Sequence, residues 1–125
     1  MSFWKHPSTG ELGEKLATSF LRKKGWRIVK NNLHVDKDEI DILAVSPKGC
    51  TLALVEVRST KNPTKDPRVT VDHQKRKCMQ RAAKKLRSIA SIHRCKLRVD
   101  LITVNLSCSP PLIGYYEAVI PVTTQ

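Results

Sequence analysis

The most informative part of the sequence is a pair of neighbouring runs, Asp38-Glu39-Ile40-Asp41-Ile42-Leu43 and Leu54-Val55-Glu56-Val57-Arg58. Side chains alternate between the two faces of a strand, so Glu39 and Asp41 are predicted to share one face of the first run, opposite its isoleucines. In the second run Glu56 shares a face with Arg58. A buried carboxylate is costly unless it is paired, hydrogen-bonded or bound to a metal. Acids that converge from two adjoining strands therefore predict a site for a hard cation such as Mg²⁺.

The turn residues between the two runs, Pro47-Lys48-Gly49, predict a hairpin that joins strands at 39–46 and 51–59. The second strand is apolar on both faces, which indicates a buried strand rather than an edge. Two interpretations of Glu56 and Arg58 stay open. They form an ordinary ion pair within the strand, or they place an acid and a cation on one phosphate at the strand's end.

Upstream of the hairpin, an apolar stripe predicts an amphipathic helix that Thr9 caps and Gly25 ends. The stripe consists of Leu12, Leu16, Ala17, Phe20 and Leu21. A strand follows at 26–33, and we assign Asn31 and Asn32 to the turn at its end.

Downstream, the pairs Asn-Pro and Asp-Pro predict an exposed loop over 60–69. A long helix is predicted over 72–93, then a strand over 97–106 and a further strand over 115–122. The apolar face of the helix consists of Met79, Ala82, Ala83, Leu86, Ile89 and Ala90. The order α-β-β-β-α-β, with an extra strand at the end, predicts an α/β fold with a mixed central sheet flanked by helices.

The length and composition of the chain are those of one ordinary domain. We predict a single domain over 9–122 and a loosely structured N-terminus at 1–8, because 125 residues with 40% hydrophobic content form one core. No apolar run reaches the roughly 18 residues of a membrane span. The four cysteines and four histidines show no metal-ligand spacing. A cytoplasmic protein with no membrane partner is expected.

The charge predicts a polyanionic partner. Lys and Arg number 23 against 11 Asp and Glu, a net charge of +12. The stretch 75–98 contains ten cations and no acid, which favours phosphate contacts over a merely solvated helix face. Nucleic acid is the expected partner, although an anionic membrane or ribosomal RNA would explain the same charge. DNA is expected before RNA, a preference that the charge itself does not decide. The cations predicted to bind it are Lys75, Arg76, Lys77, Arg81, Lys84 and Lys85.

Lys75 differs from the other helix cations because it lies on the apolar side of the helix, in a first turn where the helix dipole disfavours a cation. An anion is therefore expected beside it, either Asp72 or a carboxylate or phosphate at the sheet's end. Three other acids stay undecided. Glu14 is either a first-turn acid or part of the site, Glu39 is a solvated neighbour or a ligand, and Asp100 caps a backbone group or pairs with Arg98 or Lys75.

Several motifs occur in order along the chain: Gly13-Glu14-x-x-Ala17-x-x-Phe20-Leu21, Gly25-Trp26-x-Ile28-Val29-x-x-Asn32, Glu39-Ile40-Asp41-Ile42-Leu43-Ala44, Val55-Glu56-Val57-Arg58, Lys75 and Arg98-Val99-Asp100. Together they resemble the YraN-like family of small bacterial proteins, over roughly residues 13–104. The resemblance implies the restriction-endonuclease-like fold of the PD-(D/E)XK nuclease superfamily, a distant relative of archaeal Holliday-junction resolvases. Homodimers are known among junction enzymes of that fold, so a homodimer is an expectation by analogy only.

The resemblance also implies roles. Asp41 and Glu56 would be the two motif acids that hold Mg²⁺ or Mn²⁺, and Glu14 the helix glutamate that completes the site. Lys75 would be an accessory lysine. Arg58 stands where the family pattern has lysine, and an arginine that stays protonated is poorly suited to deprotonate water. The catalytic set is thus Asp41, Glu56, Arg58, Glu14 and Lys75, and the metal set is Asp41, Glu56, Glu14 and the backbone carbonyl of Val57.

Two functions follow from these residues. The first is a Mg²⁺-dependent endonuclease that hydrolyses phosphodiester bonds in DNA, with branched or single-stranded DNA as candidate substrates. The alternative is a catalytically inert nucleic-acid-binding module, because Arg58 replaces the motif lysine. The metal is expected only in the first case.

Overall fold

Seven elements follow one another in residues 8–64 and 72–122, the part of the chain that the computed structural model describes. They are α1 (Thr9–Lys23), β1 (Arg27–Val35), β2 (Asp38–Val45), β3 (Thr51–Thr60), α2 (His73–Ile92), β4 (Lys96–Asn105) and β5 (Leu112–Ile120). The strands form one sheet in the order β1-β2-β3-β4-β5. Every neighbouring pair is antiparallel except β3 and β4, which are parallel. The predicted α/β fold with a mixed sheet is confirmed, and it is consistent with a restriction-endonuclease-like core.

Each face of the sheet is covered by one helix. The core beneath α1 consists of Ala17, Leu21, Trp26, Ile42, Ala44, Ala53, Val55, Ile102 and Val104. The core beneath α2 consists of Ile40, Leu43, Leu52, Leu54, Met79, Ala82, Ala83, Leu86, Ala90, Val99 and Ile120. The β3 strand contributes to both, as expected of the middle strand. Ile89 was wrongly predicted in the apolar face of α2, since 48% of it is exposed.

Both helices begin with a side-chain cap. Ser8, not the predicted Thr9, is the N-cap of α1, and its Oγ accepts from the backbone N–H of Glu11 at 3.1 Å. Asp72 caps α2 by accepting from the N–H of Lys75 at 2.8 Å. Gly25 follows the end of α1 with φ of +90°, a conformation that glycine adopts without strain. The predicted stop at Gly25 is confirmed.

The side-chain alternation of β2 breaks at Asp41. Ile40 belongs to the core under α2, whereas Ile42 belongs to the core under α1. The prediction that these isoleucines share a face was therefore wrong. The break faces Asn32 on β1, which has φ of +51° and lies between the paired residues Asn31 and Leu33. A left-handed residue interrupts the regular pleat at this point, while the pairing register of β1 and β2 continues on both sides of it.

Asp100 is a buried carboxylate with all its partners in place. Arg98 donates to it through Nε at 2.8 Å and through its terminal nitrogen at 3.0 Å, and the N–H of Ala118 donates at 2.9 Å. The hydroxyl of Tyr115 donates to its second oxygen. Of the open alternatives, Asp100 thus pairs with Arg98 and caps a backbone group. We call Arg98, Asp100, Tyr115 and Ala118 the Asp100 cluster.

Two predictions lie wholly or partly outside the described residues. The loosely structured N-terminus at 1–8 is described at Ser8 alone, and the loop at 60–69 is described as far as Thr64. Residues 61–64 form a bend and a turn there, beyond a β3 that extends to Thr60. Neither helix in the described ranges has the length and apolar character needed to cross a membrane.

Candidate metal and phosphate site

The site forms where β2 and β3 part. The paired register of the two strands ends at Ile42 and Val55, so the next residues, Asp41 and Glu56, lie at the opening of the gap. The N–H of Val57 has lost its strand partner there and donates instead to Asp41 Oδ2 at 2.8 Å. The separation of two strands thus brings the two predicted acids together at one end of the sheet.

Glu14 joins them because α1 approaches the sheet unusually closely at Gly13. A Cβ built on Gly13 would lie 1.7 Å from Ser59 Oγ and 2.9 Å from Ser59 Cβ, distances that real atoms do not tolerate. Glycine inside a helix costs about 0.5–1 kcal/mol relative to alanine. That cost is offset by the close contact that places Glu14 in the same cavity as the two strand acids.

The cavity has a volume of about 390 Å³. Its walls are Thr9, Gly10, Glu14, Asp41, Glu56, Val57, Arg58 and Ser59. The structure therefore brings together four of the five predicted catalytic residues and the predicted backbone ligand. The fifth, Lys75, reaches the cavity's buried acid from α2.

Two carboxyl groups in this cavity, those of Glu14 and Glu56, have raised pKa values. Burial, followed by the neighbouring Asp41, raises the pKa of Glu56 to about 8. Burial and the charge of Asp41 likewise raise the pKa of Glu14 to about 7, although a hydrogen bond with Asn32 works in the opposite direction. Perturbed carboxyl groups that share a cleft are typical of functional sites.

Two cations meet Glu56, which is only 5% exposed. Lys75 Nζ lies 2.9 Å from Glu56 Oε2, and Arg58 Nε lies 3.8 Å from Glu56 Oε1. Burial opposes the charge on Lys75, but its bond to Glu56 raises the pKa of the ammonium. The anion expected beside Lys75 is thus Glu56, while Asp72 binds only its backbone.

One hydrogen-bond donor of Arg58 has no partner among the described residues. Its Nε is buried and has no hydrogen-bond partner among residues 8–64 and 72–122, because 3.8 Å is too long for a hydrogen bond with Glu56. A buried guanidinium donor without a partner is costly. Arg58 also lines the cavity, so its guanidinium group lies beside the acids.

Sequence reasoning missed the role of Asn32. With its amide nitrogen turned towards the acids, Asn32 lies 3.0 Å from Glu14 Oε2 and 3.1 Å from Glu39 Oε1. It stands inside β1 rather than in a turn at the strand's end, and Asn31 next to it donates to Thr18 Oγ1 at 3.0 Å. Glu39 is exposed and does not line the cavity. An asparagine within a predicted strand was the available signal.

The donor atoms suit a hard cation, but they are not arranged as a finished metal site. Within the two described ranges, no three Asp, Glu, His or Cys side chains stand close enough to hold a metal ion as they are placed. Asp41 already binds the N–H of Val57, and Glu56 faces Lys75. Carboxylate oxygens that repel one another are nevertheless the ligands that Mg²⁺ prefers. The predicted metal set stays a prediction.

The six cations predicted to bind nucleic acid fall into two groups. Lys75 pairs with Glu56, Arg81 with Asp38 through two hydrogen bonds of 2.8 and 3.1 Å, and Lys85 with Asp36. The acids missing from the sequence around α2 are thus supplied by Asp36 in the turn between β1 and β2, Asp38 at the start of β2 and Glu56 on β3. The other three, Arg76, Lys77 and Lys84, are exposed and form no ion pair with a described residue.

Comparison with known proteins identifies relatives of matching length. A sequence model of the uncharacterised protein family UPF0102 matches residues 13–104, a range that contains all five predicted catalytic residues. A UPF0102 protein of Trichlorobacter lovleyi is 33% identical over 100 residues, 79% of this chain and 78% of that one. A UPF0102 protein of Chlorobium phaeobacteroides is 32% identical over 110 residues, 86% and 85% of the two chains. One of Kosmotoga olearia is 37% identical over 95 residues, 76% and 80%.

Among solved structures, Pyrococcus furiosus SfsA in complex with Ca²⁺ is similar at a TM-score of 0.36 and 13% identity. The similarity covers 90% of this chain and 63% of that one, so this chain spans less than two thirds of SfsA. A likeness of this size supports no statement about the site.

Proposed function

Because the chain belongs to the uncharacterised protein family UPF0102, and the region that matches the family contains the three acids of the cavity, we propose that it is a nucleic-acid-binding, metal-dependent endonuclease. Its expected reaction is hydrolysis of phosphodiester bonds in DNA, with branched or single-stranded DNA as the first substrates to test. The exposed cations Arg76, Lys77 and Lys84 would contribute phosphate contacts.

One observation carries the proposal. The structure holds Asp41 and Glu56 at the gap between two buried strands and adds Glu14 from a helix that approaches too closely for any residue but glycine at position 13. Such an arrangement costs free energy, since buried carboxylates repel one another. A structural ion pair would not require a third acid.

The residues that would hold Mg²⁺ or Mn²⁺ are Asp41, Glu56 and the carbonyl of Val57, with Glu14 bound directly or through water. A cation bound there would stabilise charge on the phosphate and lower the pKa of a water molecule. Arg58, whose side chain is partly exposed at the cavity, would donate from its guanidinium to a phosphate oxygen. Lys75 would hold Glu56 in position and add positive charge near the same phosphate.

A second candidate function is favoured by Arg58 and Lys75 together. The guanidinium stays protonated at neutral pH and so cannot accept the proton of the attacking water. Lys75 already neutralises Glu56 at 2.9 Å. On this alternative the protein binds nucleic acid without cutting it, and the acids and cations form a polar network.

Cleavage assays separate the two functions. Flap, four-way-junction and single-stranded DNA, with matching RNA, would be incubated with the protein in Mg²⁺, Mn²⁺ or EDTA. We expect metal-dependent cleavage that Glu56→Ala abolishes, whereas the control Glu117→Ala, which removes an exposed acid on β5, retains it. Cleavage by Arg58→Lys but not by the natural protein would establish the inert binding module. If neither protein cuts any substrate, the proposed endonuclease activity is wrong for those substrates, and if neither binds them, the proposed binding of nucleic acid is wrong as well.

A further inference from the structure

A second and larger cavity, of about 630 Å³, lies between α1 and β1. Glu14 lines both this cavity and the one that contains Asp41 and Glu56, so the two meet at its side chain. We call the larger one the α1–β1 groove. It extends from the carboxylates along the side of α1 that faces Asn31 and Asn32 of β1, and none of the predicted nucleic-acid-binding residues lines it.

The walls of the α1–β1 groove combine positive charge with neutral hydrogen-bonding groups. Lys15, Arg22 and Lys23 stand exposed along its helix side. The hydrogen bond from Asn31 Nδ2 to Thr18 Oγ1 ties β1 to α1 within it. Cations beside neutral polar side chains suit a sugar–phosphate strand, whose charge lies on one edge and whose other groups are neutral donors and acceptors.

Lys15 and Arg22 are placed to contact different phosphates. They are seven residues apart, which puts them on the same face of the helix and about 10 Å apart along its axis. Neither forms an ion pair with another residue of the described ranges, in contrast with Lys75, Arg81 and Lys85 on α2. These two cations can therefore bind an external anion without first releasing an internal one.

We propose that the α1–β1 groove holds the nucleic-acid strand that continues from the reacting phosphate, with Lys15 and Arg22 on two of its phosphates. This inference rests on the proposed function, since it requires that the protein bind nucleic acid. The groove would set the direction in which the strand leaves the site. Glu11, which also lines the groove, would weaken the contact by its charge.

Two double variants with the same loss of charge test the proposal. Lys15→Gln/Arg22→Gln removes two cations from the groove. Lys48→Gln/Lys96→Gln removes two exposed cations that do not line the groove, at the end of the sheet opposite the acid cavity, where Lys96 pairs with Thr51 at the start of β3. Binding of a labelled single-stranded oligonucleotide would be followed by fluorescence anisotropy at several salt concentrations, with thermal unfolding to confirm that both variants fold.

The groove variant is expected to bind about tenfold more weakly. The slope of its log binding constant against log salt concentration should be shallower by about 1.4, the value for two lost phosphate contacts on a single strand. The control variant should lose less than about threefold and keep its slope. Glu11→Gln should tighten binding roughly twofold to fivefold, a gain that misfolding would not produce. Equal losses of affinity in the two double variants would overturn the proposal that the groove binds the strand, and would leave the proposed function standing. Absence of binding by the natural protein would overturn the proposed function itself.

Discussion

Two of the sheet's buried carboxylates, Asp100 and Glu56, lie inside apolar strands, and their surroundings differ. Asp100 on β4 is fully buried and accepts from a bidentate arginine, a tyrosine hydroxyl and a backbone N–H. Glu56 on β3 is almost as buried, but it faces Lys75 at 2.9 Å, an imperfectly placed Arg58 at 3.8 Å and a second acid. One carboxylate is satisfied within the fold, and the other is held beside a like charge.

The difference separates structure from function among residues of the same chemical type. A satisfied buried carboxylate needs nothing from outside the protein, and it stabilises one arrangement of the strands around it. A carboxylate beside another carboxylate gains from a cation, and an unpaired guanidinium donor gains from an anion. We therefore assign the Asp100 cluster to folding and the Glu56 cavity to binding.

The largest expected effect is on the Asp100 cluster. Asp100→Ala leaves Arg98 without its bidentate partner and the Ala118 N–H without an acceptor, and it should destabilise the protein by about 3–5 kcal/mol. Chemical denaturation would measure the loss. Glu117→Ala is the matched control, because Glu117 contacts the same arginine at 3.4 Å from an exposed position. It should cost less than about 1 kcal/mol. Similar losses in the two variants would contradict the assignment of Asp100 to folding.

The next effect concerns the helix that carries Glu14. Gly13→Ala forces a Cβ against Ser59 and should destabilise the fold by about 1–3 kcal/mol through overpacking. It should also displace Glu14 and reduce metal-dependent cleavage. Gly10→Ala is the control, since its Cβ would meet only Ser8 Oγ at 3.9 Å, and it should gain up to about 1 kcal/mol in helix propensity. Equal stability of both variants would show that the close approach of α1 is not required.

A smaller effect on stability is expected at the cavity itself. Glu56→Gln removes the repulsion with Asp41 but also the partner of Lys75, so the two changes offset each other to within about 1 kcal/mol. Cleavage should nevertheless be lost, because an amide is a poor ligand for Mg²⁺ beside a carboxylate. Denaturation and cleavage would be measured on the same preparation. A loss of stability as large as that of Asp100→Ala would mean that Glu56 serves the fold, and the contrast between the two clusters would disappear.

The smallest effect is a pH dependence at the edge of α2. The hydrogen bond from Arg81 holds the pKa of Asp38 below its ordinary value of 3.8. Stability from this pair is therefore present above about pH 4 and is lost as pH falls through the lower pKa of the folded state. The difference in unfolding free energy between the natural protein and Asp38→Asn should shrink between about pH 5 and pH 2. In an Arg81→Gln background, the difference that Asp38→Asn makes to the unfolding free energy should be smaller and should change less with pH. If this difference in the natural protein does not change with pH, the pairing of Asp38 with Arg81 is contradicted.

Much of the fold follows from local sequence. Apolar residues at helical spacing and strands with apolar faces, separated by turn residues, predicted the element order and the hairpin of β2 and β3. Elements end where local chemistry ends them, as at Gly25. The acids in apolar strands also identified Asp41 and Glu56, because burial of charge is costly wherever the strand lies. These properties depend on neighbours along the chain, which the sequence displays directly.

Tertiary structure alone decided which charges meet. The side chain of Lys75 pairs with Glu56 rather than Asp72, and Arg81 pairs with Asp38 on β2, because of the way α2 packs on the sheet, which no local pattern encodes. The parting of β2 and β3 at Asp41 depends on the registers of separate strand pairs. The place of Glu14 depends on how closely α1 can approach Ser59. Distances between residues far apart in sequence are fixed by packing, and the chemistry of this site consists of such distances.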